Sequence, residues 1–364
     1  MQRRNFLKLG LAGLLLGPTR LLAADGTQRL LSCCSDNARN HYLAMLDTDG
    51  NILMQLQLPA RGHGISVDPQ HGIAAVFARR PGSFVWLVDL SSGEVIHKLQ
   101  AAAGRHYYGH GVFSPDGDTL LCSENAFESG DGVIGTYQRQ DGWQRVGEFA
   151  SHGIGPHEFR LLSDGETLVI ANGGIRTHPD LPRIKSNLAQ MRPNLAYVNR
   201  HDGRLLHRHE PPVHWHQLSI RHLDVSADDR VAIAMQYEGN PLQRPPLIAL
   251  HQFDHRGDAD LQLLQAPQQV QARLRNYCGS VRFSQDGARF AVSSPRGGLV
   301  TLWSSDGDYL GAHQQADVCG IAVQREGFVL SDGSGAQQRL TGLSQASLLS
   351  QDRQLHWDNH QLEV

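Results

Sequence analysis

The chain has 364 residues, 40% hydrophobic and 19% charged, which gives enough apolar material for a large core and a balance unlike that of a disordered chain. A formal net charge of -3 leaves no basic footprint for nucleic acid. The unusual numbers are 20 histidines and an odd count of five cysteines.

The first 24 residues read as an export signal. Arg3 and Arg4 precede Phe6-Leu-Lys8, an apolar run spans Leu9 to Leu16, and small residues at Ala23 and Ala24 offer a cleavage site. The apolar run is too short for a membrane span, and the arginine pair fits a twin-arginine signal better than a Sec signal or an uncleaved anchor. The expected product is a single periplasmic domain over 25–364, with no span left after cleavage. Because the twin-arginine route carries folded proteins, the address favours a cofactor already in place. Cys33 and Cys34 are adjacent and cannot easily pair with each other, so the five cysteines do not form a disulfide framework.

After the signal, Arg29 to Cys34, His41 to Gly50 and Asn51 to Leu58 read as three strands with no inner strand before them. From there one pattern recurs at roughly 40 to 60 residues, the period of propeller blades. Its copies begin Gly62-His-Gly-Ile-Ser-Val-Asp68, Gly109-His-Gly-Val-Phe-Ser-Pro-Asp116, Pro156-His-Glu-Phe159, Arg221-His-Leu-Asp-Val225, Tyr277-Cys-Gly-Ser280 and Val318-Cys-Gly-Ile321. A degenerate seventh, Leu355-His-Trp-Asp-Asn-His360 and onward to Val364, lies at the C-terminus. Each copy leads into alternating apolar positions, and most reach an acidic or glycine-bearing turn suited to a hairpin. The expected fold is all-β: a seven-bladed propeller of four-stranded blades, closed by pairing the C-terminal strand with the three N-terminal ones, so that no sheet edge stays open. One unit carries an insertion at about 174–194 where its siblings have a short turn, and this loop is expected to overhang the channel mouth.

The repeat puts a ligand-type side chain at one place in every blade. The functional reading takes His63, His110, His157, His222, Cys278, Cys319 and His356 as a ring at the channel mouth, at least two of which bind a transition metal. Imidazole and thiolate together lean toward copper or another borderline-to-soft ion, with iron and zinc also open. The bland reading is that these residues brace neighbouring turns, as the Gly-His pair does in tryptophan-aspartate repeats. The register is not fixed by spacing, since His110 lies six residues before Asp116 and Cys278 eight before Asp286. Glu158 and Arg160 could bind an anion or support a ligand. Glu124 and Asn172, at the ends of second strands, could meet a hydrogen-bonding ligand on the channel face. His214 and His216 read as a pair on one face of a strand. No nucleophile elbow, phosphate loop or heme-attachment motif appears, and no organic cofactor is indicated.

The arginine pair, the Gly-His-Gly strands, Gly155-Pro-His-Glu-Phe159 and Ile184-Lys-Ser-Asn-Leu-Ala-Gln-Met-Arg-Pro-Asn-Leu195 together resemble a bacterial family of exported propellers catalogued as a domain of unknown function. The resemblance implies a periplasmic monomer encoded beside imelysin-like proteins and a di-heme, thiol-oxidoreductase-like protein, in clusters tied to iron acquisition. Three functions stay open on this reading: metal handling with an imelysin-type partner, a metal-dependent redox or hydrolytic enzyme, and a metal-free interaction scaffold.

Overall fold

A computed structural model describes residues 28–364 apart from 69, 182, 183, 255, 256 and 258. The export signal over 1–24 lies outside the described residues. Seven four-stranded antiparallel sheets stand around one axis, and all run in chain order except the first. Blade 1 takes its inner strand, Leu355–Glu363, from the C-terminus and its other three, Leu30–Asp36, His41–Leu46 and Ile52–Leu58, from the N-terminus. The closing register runs from Leu30 opposite Glu363 to Asp36 opposite Leu355, so the first and last strands clasp along their whole length. The inner strands of blades 2 to 7 are Gly62–Asp68, Arg105–Phe113, Pro156–Leu161, Leu218–Val225, Ser280–Phe283 and Val318–Gln324.

Burial explains why the patterns change across a blade. Second strands such as Ile73–Ala78 and Thr167–Asn172 are buried at every position, because both their faces meet a neighbouring blade, and they read as unbroken apolar runs. The outermost strand of blade 3, Gln144–Ala150, alternates strictly between exposed and half-buried positions. The core is therefore a set of layers between adjacent blades. In one, Ile73, Ala75, Phe77 and Leu87 of blade 2 meet Tyr107, Phe113, Leu120 and Cys122 of blade 3. In another, Ala322 and Val329 of blade 7 meet Leu30, Cys34 and Ala44 of blade 1, which seals the closure with apolar contact as well as strand pairing.

The insertion joins Thr167–Asn172 to Asn194–Asn199 in blade 4 and contains one short 3-10 turn, Leu188–Gln190. It reaches to both neighbours. Tyr108 and Asn125 of blade 3 bond to Thr177, and on the other side Gln217 donates to the Leu188 carbonyl and Lys185 pairs with Glu238 of blade 5. Among the described residues no helix is long and apolar enough to cross a membrane.

Candidate metal centre

Five imidazoles from five consecutive blades meet inside the channel: His360 of blade 1, His63, His110, His157 and His222. Neighbouring ring centroids are 4.7 to 4.9 Å apart around the group, from His63 to His110 (4.9 Å), His157 to His222 (4.7 Å), His222 to His360 (4.9 Å) and His360 to His63 (4.7 Å). The nitrogens form two overlapping triads, His63 with His110 and His157, and His110 with His222 and His360, each within 4.8 Å. His110 belongs to both.

Bulges aim these side chains. In blade 2, His63 and Gly64 together oppose the single residue Phe77; in blade 4, His157 and Glu158 oppose Ala171. In blade 3 three residues, Tyr108 to His110, stand opposite Ser123, and in blade 1 Asp358 to His360 stand opposite Cys33. In blade 5 Arg221 is the extra residue immediately before His222. An extra residue bends the strand and re-aims its side chains, so period-two alternation does not tell which of them enters the channel. The carbonyls pushed out of the ladder find hydroxyls: Ser123 Oγ donates to His110 O at 3.0 Å and Ser32 Oγ to His360 O at 2.9 Å.

The Gly-His-Gly motif is explained by the same crowding. A Cβ on Gly64 would lie 2.4 Å from the Gly109 carbonyl oxygen and 2.8 Å from His110 Nδ1, and one on Gly109, at φ +104°, would lie 2.8 Å from the His63 ring. Each histidine packs where the next strand has no side chain.

Two carboxylates orient two of the rings. His63 Nδ1 donates to Asp358 at 3.3 Å and His222 Nδ1 to Glu158 at 3.1 Å, and each carboxylate is also paired with an arginine, Arg61 and Arg160 respectively. Burial alone would raise both carboxyls. Arg160 and His222 nonetheless hold Glu158 well below its ordinary value, and His63 and Arg61 do the same for Asp358. Donation through Nδ1 fixes the tautomer and leaves the Nε2 lone pair of His63 and His222 free. Burial pushes His110, His157 and His360 well below the usual imidazole range and lowers His63, so these rings are neutral. His110 Nε2, His157 Nδ1 and His360 Nε2 are buried with no hydrogen-bond partner. Buried nitrogens without partners are rare in folded proteins, and here three of them belong to the rings of one cluster. Neutral imidazole, with a carboxylate behind two of the five rings, is a donor set that fits copper, iron or zinc. Beside His110, His360 and Glu158 there is a cavity of about 20 Å³, room for a water-sized ligand.

The other expected ligands lie elsewhere. His356 is on the outer side of the mouth, exposed, with Nδ1 donating to the Gly333 carbonyl at 2.6 Å and Nε2 2.9 Å from Asn37 Oδ1. Cys278 is buried in the core among Leu274, Val281 and Leu218, because its backbone is docked on blade 5: its N–H donates to Met235 O at 3.2 Å. Cys319 lines the mouth, burial raises both thiols, and neither sulfur belongs to the histidine groups. The soft-ligand lean toward copper therefore loses its thiol half. Glu124 is buried in blade 3, where Tyr137 donates to it at 2.9 Å and Arg145 at 2.8 Å. Asn172 is satisfied by Ser151 and Asn194 between strands, and Arg160 bridges Glu158 toward Asp224. His214 lies in a 3-10 turn, Val213–Trp215, with His216 capping it, so the two do not share a strand face.

His360 is the ligand-type residue that position in the repeat misses. A signal for it exists at the other end of each strand. His110, His222 and His360 all stand three residues before the last residue of their inner strands, Phe113, Val225 and Glu363. Counted back from the following serine of the turn, His110 precedes Ser114 by four and His222 precedes Ser226 by four, and in blade 6 the same count from Ser284 lands on Ser280. Ser280 lines the cavity beside His110 and His360.

Residues 56–364 match the family described as "Protein of unknown function (DUF1513)", and the chain belongs to that family. No curated protein matches it. Among solved structures it is similar to the Kuenenia stuttgartiensis hydrazine synthase, at 12% identity and a TM-score of 0.59, over 86% of this chain and 90% of that one; the likeness is one of fold.

Proposed function

We propose that this member of the unknown-function propeller family holds a transition metal, copper or iron, among His63, His110, His157, His222 and His360, and that it acts in the periplasm in acquiring or handling that metal beside an imelysin-type partner. The observation that carries the reading is the cluster of five imidazoles from five blades, three of which have a buried nitrogen without a hydrogen-bond partner. Bracing of turns does not call for such a group. His356, outside the cluster, has a partner at each ring nitrogen. Export by the twin-arginine route, read from Arg3 and Arg4, fits a protein that carries its metal from the moment it folds.

Within the site the residues divide the work. His110 joins the two triads, Asp358 and Glu158 orient His63 and His222 and make them better donors, and Arg61 and Arg160 keep those carboxylates ionised. A bound copper or iron ion would supply a one-electron redox couple. His63, His110, His157 and His222 are 1 to 6% exposed and His360 is half-buried, and the cavity beside them admits little more than a water. That enclosure favours holding an ion over turning over a larger substrate.

The test is elemental analysis of the mature protein purified from its native periplasm, against a His110→Ala, His157→Ala double variant checked for folding by circular dichroism. Close to one copper or iron per chain, lost in the folded variant, is the expected result. Metal-free protein in both preparations would overturn the reading and leave the scaffold alternative.

A further inference from the structure

Above the histidine cluster the channel opens into a cleft of about 480 Å³ lined by Arg61, Tyr277, Arg296, Asp317, Cys319 and Trp357, among others. Its charge is one-sided. Arg61 is paired with Asp358, and Glu238 is taken by Lys185 of the insertion, its other oxygen 4.0 Å from Arg221. Arg296 lies over the Tyr277 ring at 4.3 Å. Arg79 is bound through its backbone to Arg61, N–H to O at 2.9 Å, so it stands on the same rim, and Arg80 follows it. No ion pair is formed by Arg79 or Arg80 among the described residues. Arg221, Arg79 and Arg296 all act electrostatically on Tyr277, and Asp317 is the acid that lines the cleft with it.

Two donors in this region lack an acceptor. Arg221 is only 6% exposed and its Nε has no partner; Trp357 is 5% exposed and its Nε1 has none either. Both groups can donate and neither can accept, so what would satisfy them is an acceptor-rich ligand. Arg221 is the bulge residue next to His222, and its charge acts on His157 of the cluster.

We propose that this mouth is a binding site for a small, multiply charged oxyanion, a polycarboxylate or a phosphate, held by Arg79, Arg80 and Arg221 with Trp357 and Tyr277 as neutral donors. Paired oxygens on such an anion match the planar fork of a guanidinium, and several arginines around one anion give charge-assisted bonds that a single carboxylate side chain cannot satisfy. The anion would sit on the approach to the histidines, but the site is complete without any ion on them, so the proposal stands or falls separately from the metal reading.

The experiment is calorimetric titration of citrate and, separately, inorganic phosphate into the mature protein at low salt, for the wild type and an Arg79→Gln, Arg80→Gln double variant. Arg79 is exposed, Arg80 is half-buried and neither forms an ion pair among the described residues, so the variant is expected to melt with the wild type. The expected result is saturable binding of at least one anion, weakened about tenfold or more in the variant and by added salt, with metal content by elemental analysis unchanged. Preference for citrate assigns a polycarboxylate and preference for phosphate a phosphoryl ligand. Absence of binding by both anions, or equal affinity in the wild type and the double variant, would overturn the proposal.

Discussion

Blades 1 to 5 and blades 6 and 7 line the same channel with the same kind of strand, yet only the first five send an imidazole into it. In the five, the inner strand carries at least one residue more than the strand beside it, and the histidine stands in or next to that bulge. Blade 6 pairs without any shift from Ser280 to Phe283, and its cysteine lies before the strand, held to blade 5 by the Met235 carbonyl. Blade 7 does have a shift, at Cys319, but the thiol there lines the mouth and not the cluster. The comparison teaches that a ligand-type residue at the start of a repeat is not sufficient. Every imidazole of the cluster stands in or next to a bulge, but Cys319 shows that a bulge alone does not bring a side chain there; the missing side chains of Gly64 and Gly109 make the room.

The sharpest way to break that comparison is to remove one residue from each side. His110→Ala takes a member from both triads and is expected to weaken metal binding by at least about 100-fold, whereas Cys278→Ser and Cys319→Ser leave it within about twofold; competition with a chromogenic chelator reads all three. Loss of metal in either serine variant would end the distinction between the two sides.

Blade 1 offers a second contrast within one strand. His360→Ala is expected to lower affinity about 10- to 100-fold, and His356→Ala, four residues earlier, to leave it unchanged, in the same assay. The opposite order would restore the ring as position in the repeat reads it.

Packing should follow the same division. Gly64→Ala places a methyl group against the Gly109 carbonyl and the His110 ring, and a loss of about 1 to 3 kcal/mol is expected from overpacking. Gly147→Ala, on an outer strand where a Cβ would meet nothing within 4 Å, is expected to change stability by less than about 0.5 kcal/mol. Urea midpoints of the metal-free protein measure both.

A separate effect, seen only in the pH dependence, concerns a histidine outside the channel. Burial, and then the neighbouring His209, lower His251 from 6.5 to about 4. Between those values the unfolded chain holds a proton that the folded chain lacks, so stability falls as pH drops from 6.5 and levels off below about 4. The slope from this one group is about 1 kcal/mol per pH unit. His251→Gln should flatten the urea midpoint against pH by that amount over that window, and an unchanged profile would remove His251 from the account.

The architecture is legible in the amino-acid pattern: the seven-fold period, the unbroken apolar second strands, the alternating outer strands and the C-terminal strand that completes blade 1 are all consequences of local pattern and blade burial. It also marked His63, His110, His157 and His222, because their strands repeat the same short motif. Only the tertiary structure decided that His360 joins them, that His356 turns away to Gly333, and that Cys278 enters the core. The physical reason is register. With a side-chain period of two, one extra residue in a strand reverses which side chains face the axis, and that residue appears only when each inner strand is laid against its partner.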